Sequence, residues 1–190
     1  MIIFYLRQML EPALLAVLLY FILLPLRLYS LRKKKKITTV GHEFLFAFFM
    51  MFLAGMVSLT QTPWSSDMQN GVNLIPFAVF RQTAYFLRHG IFSYLLINVI
   101  GNIVMFWPLG ILPSVLWKNP RWWKALLLGF ICSLSIELSQ LRIQRGTDID
   151  DLWLNALGAL SGYWIYLLIR SAFPVVCSAA KIRDTKSSEE

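Results

Sequence analysis

Five long apolar runs, at residues 9–28, 44–59, 91–117, 122–141 and 151–173, are separated by polar or basic connections. A helix needs about 20 apolar residues to cross a hydrocarbon core. Each run therefore predicts a transmembrane helix, the second only if residues 41–43 or 60–62 extend it. Three runs carry polar residues at helical spacing. Asn98 and Asn102 lie one turn apart in the third, and Glu137 and Gln140 three residues apart at the end of the fourth. At the start of the fifth, Asp148, Asp151, Asn155, Gly158 and Gly162 alternate in steps of three and four, which lines one helix face. Ionisable and amide groups in a membrane helix are costly and normally face a protein interior or a wet cavity. The same face then turns to glycine, which lets another backbone approach.

The longest connection, residues 61–90, has turn signals at Pro63, Asn70-Gly71 and Pro76. Pro76 blocks helix continuation, and 78–87 predicts a short helix lying in the membrane interface. The last residues, from 174 onward, are polar enough to be disordered.

Composition decides the class. The chain is 57% hydrophobic and 15% charged with mean hydropathy +0.61, too apolar for a soluble core of 190 residues. The expected fold is all-α, a polytopic membrane helix bundle of about five transmembrane helices with a membrane-lying outer loop. The net charge of +8 would suggest nucleic acid in a soluble protein. Here the cations flank apolar runs: six lie between Arg27 and Lys36, three between Lys118 and Lys124, and four from Arg170 onward. All three groups share one side if the N-terminus is outside and the C-terminus cytoplasmic, so they report topology and no nucleic-acid partner. The lysines at 33–36 read as a topology signal rather than a lipid-docking patch. Cys132 and Cys177 give neither a disulfide framework nor metal-ligand spacing. No small-residue cleavage site follows the first run, which predicts a retained anchor. The expected divisions are an N-terminal helical pair at 1–62, a membrane domain at 63–173 and a polar cytoplasmic tail at 174–190.

With this orientation, polar groups from separate segments reach a common depth near the outer surface. The candidate ligand-binding residues are Asn73, Arg81, Asn98, Asn102, Glu137, Gln140, Arg145, Asp148, Asp151 and Asn155. Glu137 needs a partner, and Arg142 or Arg145 is nearest in sequence. Asn98 and Asn102 either bond between helices or meet a ligand. Asp148 and Asp150 can cap the fifth helix, the preferred role for Asp150. Gly158 and Gly162 read as packing.

At these residues the sequence resembles the VanZ-like family of bacterial membrane proteins, over roughly residues 71–168. Its Asn-x-x-Pro-Phe element stands here as Asn73, Pro76 and Phe77, and a second element as Asn98, Asn102, Phe106, Pro108 and Gly110. The Glu-x-x-Gln pair is Glu137 and Gln140; the last element is Arg145, Asp148, Asp151, Asn155, Gly158 and Gly162. The first two helices lie outside this resemblance. It implies a plasma-membrane protein related to one that lowers susceptibility to the lipoglycopeptide teicoplanin, in a family without a settled biochemical activity.

Three functions fit the residues. The first is a binding protein whose polar pocket opens to the outer leaflet and receives an envelope lipid or lipoglycopeptide, with Arg81 and Arg145 facing an anionic headgroup. The second is an enzyme on a lipid-linked substrate, with Glu137, Asp148 and Asp151 as catalytic candidates; their hard oxygens suit Mg²⁺, Mn²⁺ or Ca²⁺, although no nucleophile motif is visible and the residues define no cofactor. The third is a structural or assembly protein whose polar stripe joins helices and whose glycines form a packing or oligomer face. Membrane lipids are partners under all three.

Overall fold

The structure, a computed structural model, describes residues 2–61, 71–142 and 146–184. Among these, five helices are long and apolar enough to cross a membrane. The chain is an all-α, multi-pass membrane protein. Helix α1 (Ile2–Lys33) runs past its apolar stretch at both ends and continues through Pro12 and Pro25. Leu14, Leu18, Ile22 and Leu26 on α1 are exposed, as apolar side chains are when lipid is the solvent. The helix ends at the lysine run, where Lys35 takes a left-handed φ of 53°. Helix α2 (Val40–Gln61) extends the short second run at both ends to 22 residues. Thr39 caps it, its Oγ1 accepting the His42 N–H at 3.1 Å.

The third run begins as a π-helix, Leu95–Gly101, and continues as α4 (Asn102–Leu116). The other long helices are α5 (Trp122–Arg142) and α6 (Ile149–Ala172). A shorter helix, α3 (Ala78–Arg88), occupies the segment expected to form an interfacial helix. Of the C-terminal residues, 185–190 lie outside the described ones, while those at 174–184 are more ordered than their polarity predicts. They form α7 (Pro174–Ala179) and the strand β4 (Arg183–Asp184), which pairs antiparallel with β1 (Lys36–Ile37). That pairing and two side-chain bonds to the α7 end, from Thr39 to Ala179 and between His42 and Ala180, supply order that local composition does not.

Two compact units divide the chain. One comprises Met1–Thr60, Leu112–Pro120 and Tyr166–Glu190; the other, Gln61–Ile111 and Arg121–Ile165.

The first unit contains a buried polar network. Glu43 Oε2 accepts the Arg27 Nε–H at 3.0 Å and the Tyr20 hydroxyl, while its Oε1 accepts from Thr38 at 2.6 Å. The Arg27 guanidinium also lies over the Phe46 ring, 4.2 Å from its centroid. His42, expected at the membrane interface, is 2% exposed and has both ring nitrogens engaged.

In the second unit, α4 and α6 pack backbone against backbone. A Cβ on Gly158 would meet the Ile103 carbonyl, one on Gly162 the Trp107 carbonyl, and one on Gly110 the Ala159 carbonyl. Gly129 of α5 is similarly closed off by Ala156 and Ala159. The glycines thus set helix spacing.

Candidate functional site

The second unit gathers polar side chains from four segments. The strand β2 (Val72–Asn73) pairs parallel with β3 (Thr147–Asp148), so Asn73 lies directly across from Asp148. Asn73 Nδ2 donates to Asp148 Oδ2 at 3.0 Å. The other Asp148 oxygen accepts the Asp150 N–H at 2.9 Å, which caps α6 as its sequence position predicts. The Asp148 N–H in turn donates to Glu137 Oε2 at 3.3 Å. Glu137 thus meets the loop backbone; of the two arginines nearest in sequence, Arg142 is exposed and Arg145 lies outside the described residues.

Asn102 Nδ2 donates to Asp151 Oδ1 at 2.6 Å. Next to this bond, Asn155 Nδ2 donates to Ser133 Oγ at 2.9 Å, and Ser133 donates to the Asp151 carbonyl at 3.3 Å. Asn155 is 3% exposed, and its Oδ1 has no hydrogen-bond partner among the described residues. Asn98 is half-buried and turns back on its own helix, donating to the Tyr94 carbonyl at 3.1 Å. Gln140 is buried one turn from Glu137. Arg81 stands exposed on α3.

Asp150 stands in the first turn of its own helix, as expected, but its side chain also serves another. Its side chain accepts the backbone N–H of Phe77 at 2.6 Å and of Val79 at 2.8 Å, thereby capping α3 from a distant segment. The reason is local. The residue preceding α3 is Phe77, which has no capping side chain and sits at a φ of 61°. A non-glycine residue in the left-handed region costs about 1–3 kcal/mol and persists only when its surroundings hold it. Asp150, 1% exposed, does so, and also accepts the Trp153 indole N–H at 2.9 Å.

Trp153 connects this polar site to an apolar one. Its ring packs on Phe77 and Phe80, with centroids 5.7 and 5.6 Å away. It also lines a groove of about 490 Å³, walled by Trp122, Trp123, Leu126 and Phe130 of α5 and by Leu157 of α6. Four groups unforeseen from sequence thus belong to the site: Tyr94, Ser133, Asp150 in its capping role, and Trp153. Ser133 was the most legible, standing one turn before Glu137 in an apolar run. Tyr94 donates its hydroxyl to Gln82 Oε1.

Against this geometry, the VanZ/LLP1 family model matches residues 12–170. The chain belongs to the VanZ/LLP1 family. The match takes in the first two helices, which the sequence resemblance had left outside. No curated protein and no solved structure matches the chain. In this VanZ/LLP1 protein, no group of three or more His, Cys, Asp or Glu side chains among the described residues is arranged to hold a metal ion. The acidic oxygens described above instead accept from asparagine amides, backbone N–H groups and an indole. Such an arrangement fixes loop positions and presents a hydrogen-bonding surface beside an apolar channel.

Proposed function

We propose that this VanZ/LLP1 protein binds an amphiphile at the outer leaflet of the bacterial plasma membrane. The polar part of the ligand, an envelope lipid or a lipoglycopeptide such as teicoplanin, meets the residues around Asp148 and Asp151. Its apolar chain lies in the groove between α5 and α6. The observation that carries this reading is Trp153, which bonds to Asp150 on the polar side and lines the groove on the other. A ligand with one polar and one apolar end matches that continuity. Exposed Arg81 suits an anionic headgroup.

The physiological outcome proposed is teicoplanin-type tolerance or envelope homeostasis. Binding is preferred to turnover because the carboxylates of Asp148 and Asp150 are held by protein donors and form a connected support. The test is antibiotic susceptibility of cells expressing the native chain, Asn102→Ala or Glu137→Gln at matched protein level. Loss of tolerance in both variants supports the site. Unchanged tolerance in both removes it, and a parallel fall in protein level and tolerance favours a structural role.

A further inference from the structure

The short β1–β4 ladder of the first unit carries a basic residue on each strand, Lys36 and Arg183. Lys33, Lys34, Lys35 and Lys36 are exposed where α1 turns into β1. The β1–β4 register places Lys36 across from Asp184 and Ile37 across from Arg183. Lys181 lies two residues before β4 and is half-buried. Its pKa is lowered by burial and then by the Arg170 guanidinium, so a cation here is pressed toward another cation. An anion between such groups relieves both desolvation and repulsion.

The C-terminal cations are held at this ladder by named bonds. Thr39 Oγ1 donates to the Ala179 carbonyl at 2.8 Å, and His42 Nδ1 lies 2.7 Å from the Ala180 carbonyl. The other His42 nitrogen lies 3.1 Å from Arg27 Nη2. Guanidinium offers only donors, so His42 Nε2 accepts and the ring proton sits on Nδ1, facing Ala180. On the segments that carry or flank these cations, Tyr29, Val40, Phe173, Val175 and Val176 are exposed. Cations beside exposed apolar side chains form the surface expected at a lipid headgroup layer.

We propose that this end of the first unit is a docking surface for an anionic phospholipid headgroup, and that Thr39 and His42 deliver Lys181 and Arg183 to the lysines at 33–36. Anionic-lipid docking here does not depend on amphiphile binding. The test uses the purified full chain in nonionic detergent with phosphatidylglycerol and phosphatidylcholine of equal acyl length, counting retained lipid by native mass spectrometry. The native chain is expected to prefer phosphatidylglycerol, and the preference to fall about fivefold for each cation removed in Lys181→Gln and Arg183→Gln. Combined Thr39→Val and His42→Phe, with both cations retained, is expected to lose as much as the combined charge variant. Equal retention of both lipids by the native chain, or an unchanged preference in the charge variant, overturns the proposal. Loss in the charge variant alone overturns the delivery role. Displacement by soluble glycerol phosphate at equal ionic strength identifies a free-phosphate site and overturns the lipid assignment.

Discussion

Asn102 and Asp151 are joined by a 2.6 Å hydrogen bond across 49 residues of sequence, linking the start of α4 to the first turn of α6. Both are half-buried, so the bond competes less with water than an exposed one would. A double-mutant cycle on Asn102→Ala and Asp151→Ala, read by unfolding in detergent, should give a coupling of roughly 0.6–1.7 kcal/mol. Strict additivity would show that the two side chains act independently.

Asp150→Ala should be the most damaging single change among the acidic residues. It leaves the N–H groups of Phe77 and Val79 and the Trp153 indole without their acceptor. The expected cost is about 3 kcal/mol or more, because unsatisfied buried donors carry their full desolvation penalty. Thermal unfolding should show it, and hydrogen exchange should rise first in α3. Asp150→Asn retains one acceptor oxygen and should lie between the native chain and the alanine variant.

The glycines set a different limit. Gly158→Ala and Gly162→Ala each drive a methyl group into the α4 backbone, where the obstructing atoms are carbonyls rather than a movable side-chain end. Overpacking of this kind typically costs about 1–3 kcal/mol. Lower folded yield and lower thermal stability are expected, measured by fluorescence-detected size exclusion; native yield in both variants would contradict the packing.

The Arg27–Glu43 pair should be non-additive. Removing Glu43 alone takes the carboxylate from a partly buried guanidinium, leaving it His42 and the Phe46 ring, and should cost about 1.5–3 kcal/mol, whereas replacing both residues by apolar ones of similar size should cost less. Thermal unfolding of Glu43→Gln, Arg27→Met and the double variant distinguishes these cases. A double variant as unstable as the summed single ones would contradict the pairing.

The apolar runs and charge groups made the helical class legible, since chain length and bilayer thickness leave few alternatives. The polar helix face was legible for Asp151 and Asn155, one turn apart on α6, whereas Asp148, expected on the same face, stands in β3 just before the helix. What escaped was non-local. Asp150 reads as a cap for the helix it begins, and only the fold brings Phe77 and Val79 to it. The need to lengthen 44–59 was legible from bilayer thickness, and α2 meets it at both ends, but nothing in the polar tail announced its pairing with β1. Asn98 and Asn102 looked equivalent by spacing, and both donate to the carbonyl four residues earlier, but Asn102 also crosses to Asp151 of α6.

The most direct measurement of amphiphile binding is crosslinking with a teicoplanin derivative or envelope phospholipid bearing a diazirine on its acyl chain, followed by peptide mapping. The account predicts adducts concentrated between Trp122 and Phe130 and between Trp153 and Leu157, and lost in Glu137→Gln. Adducts equally frequent at the exposed Leu18 and Ile22 of α1, for both probes and both proteins, would contradict it.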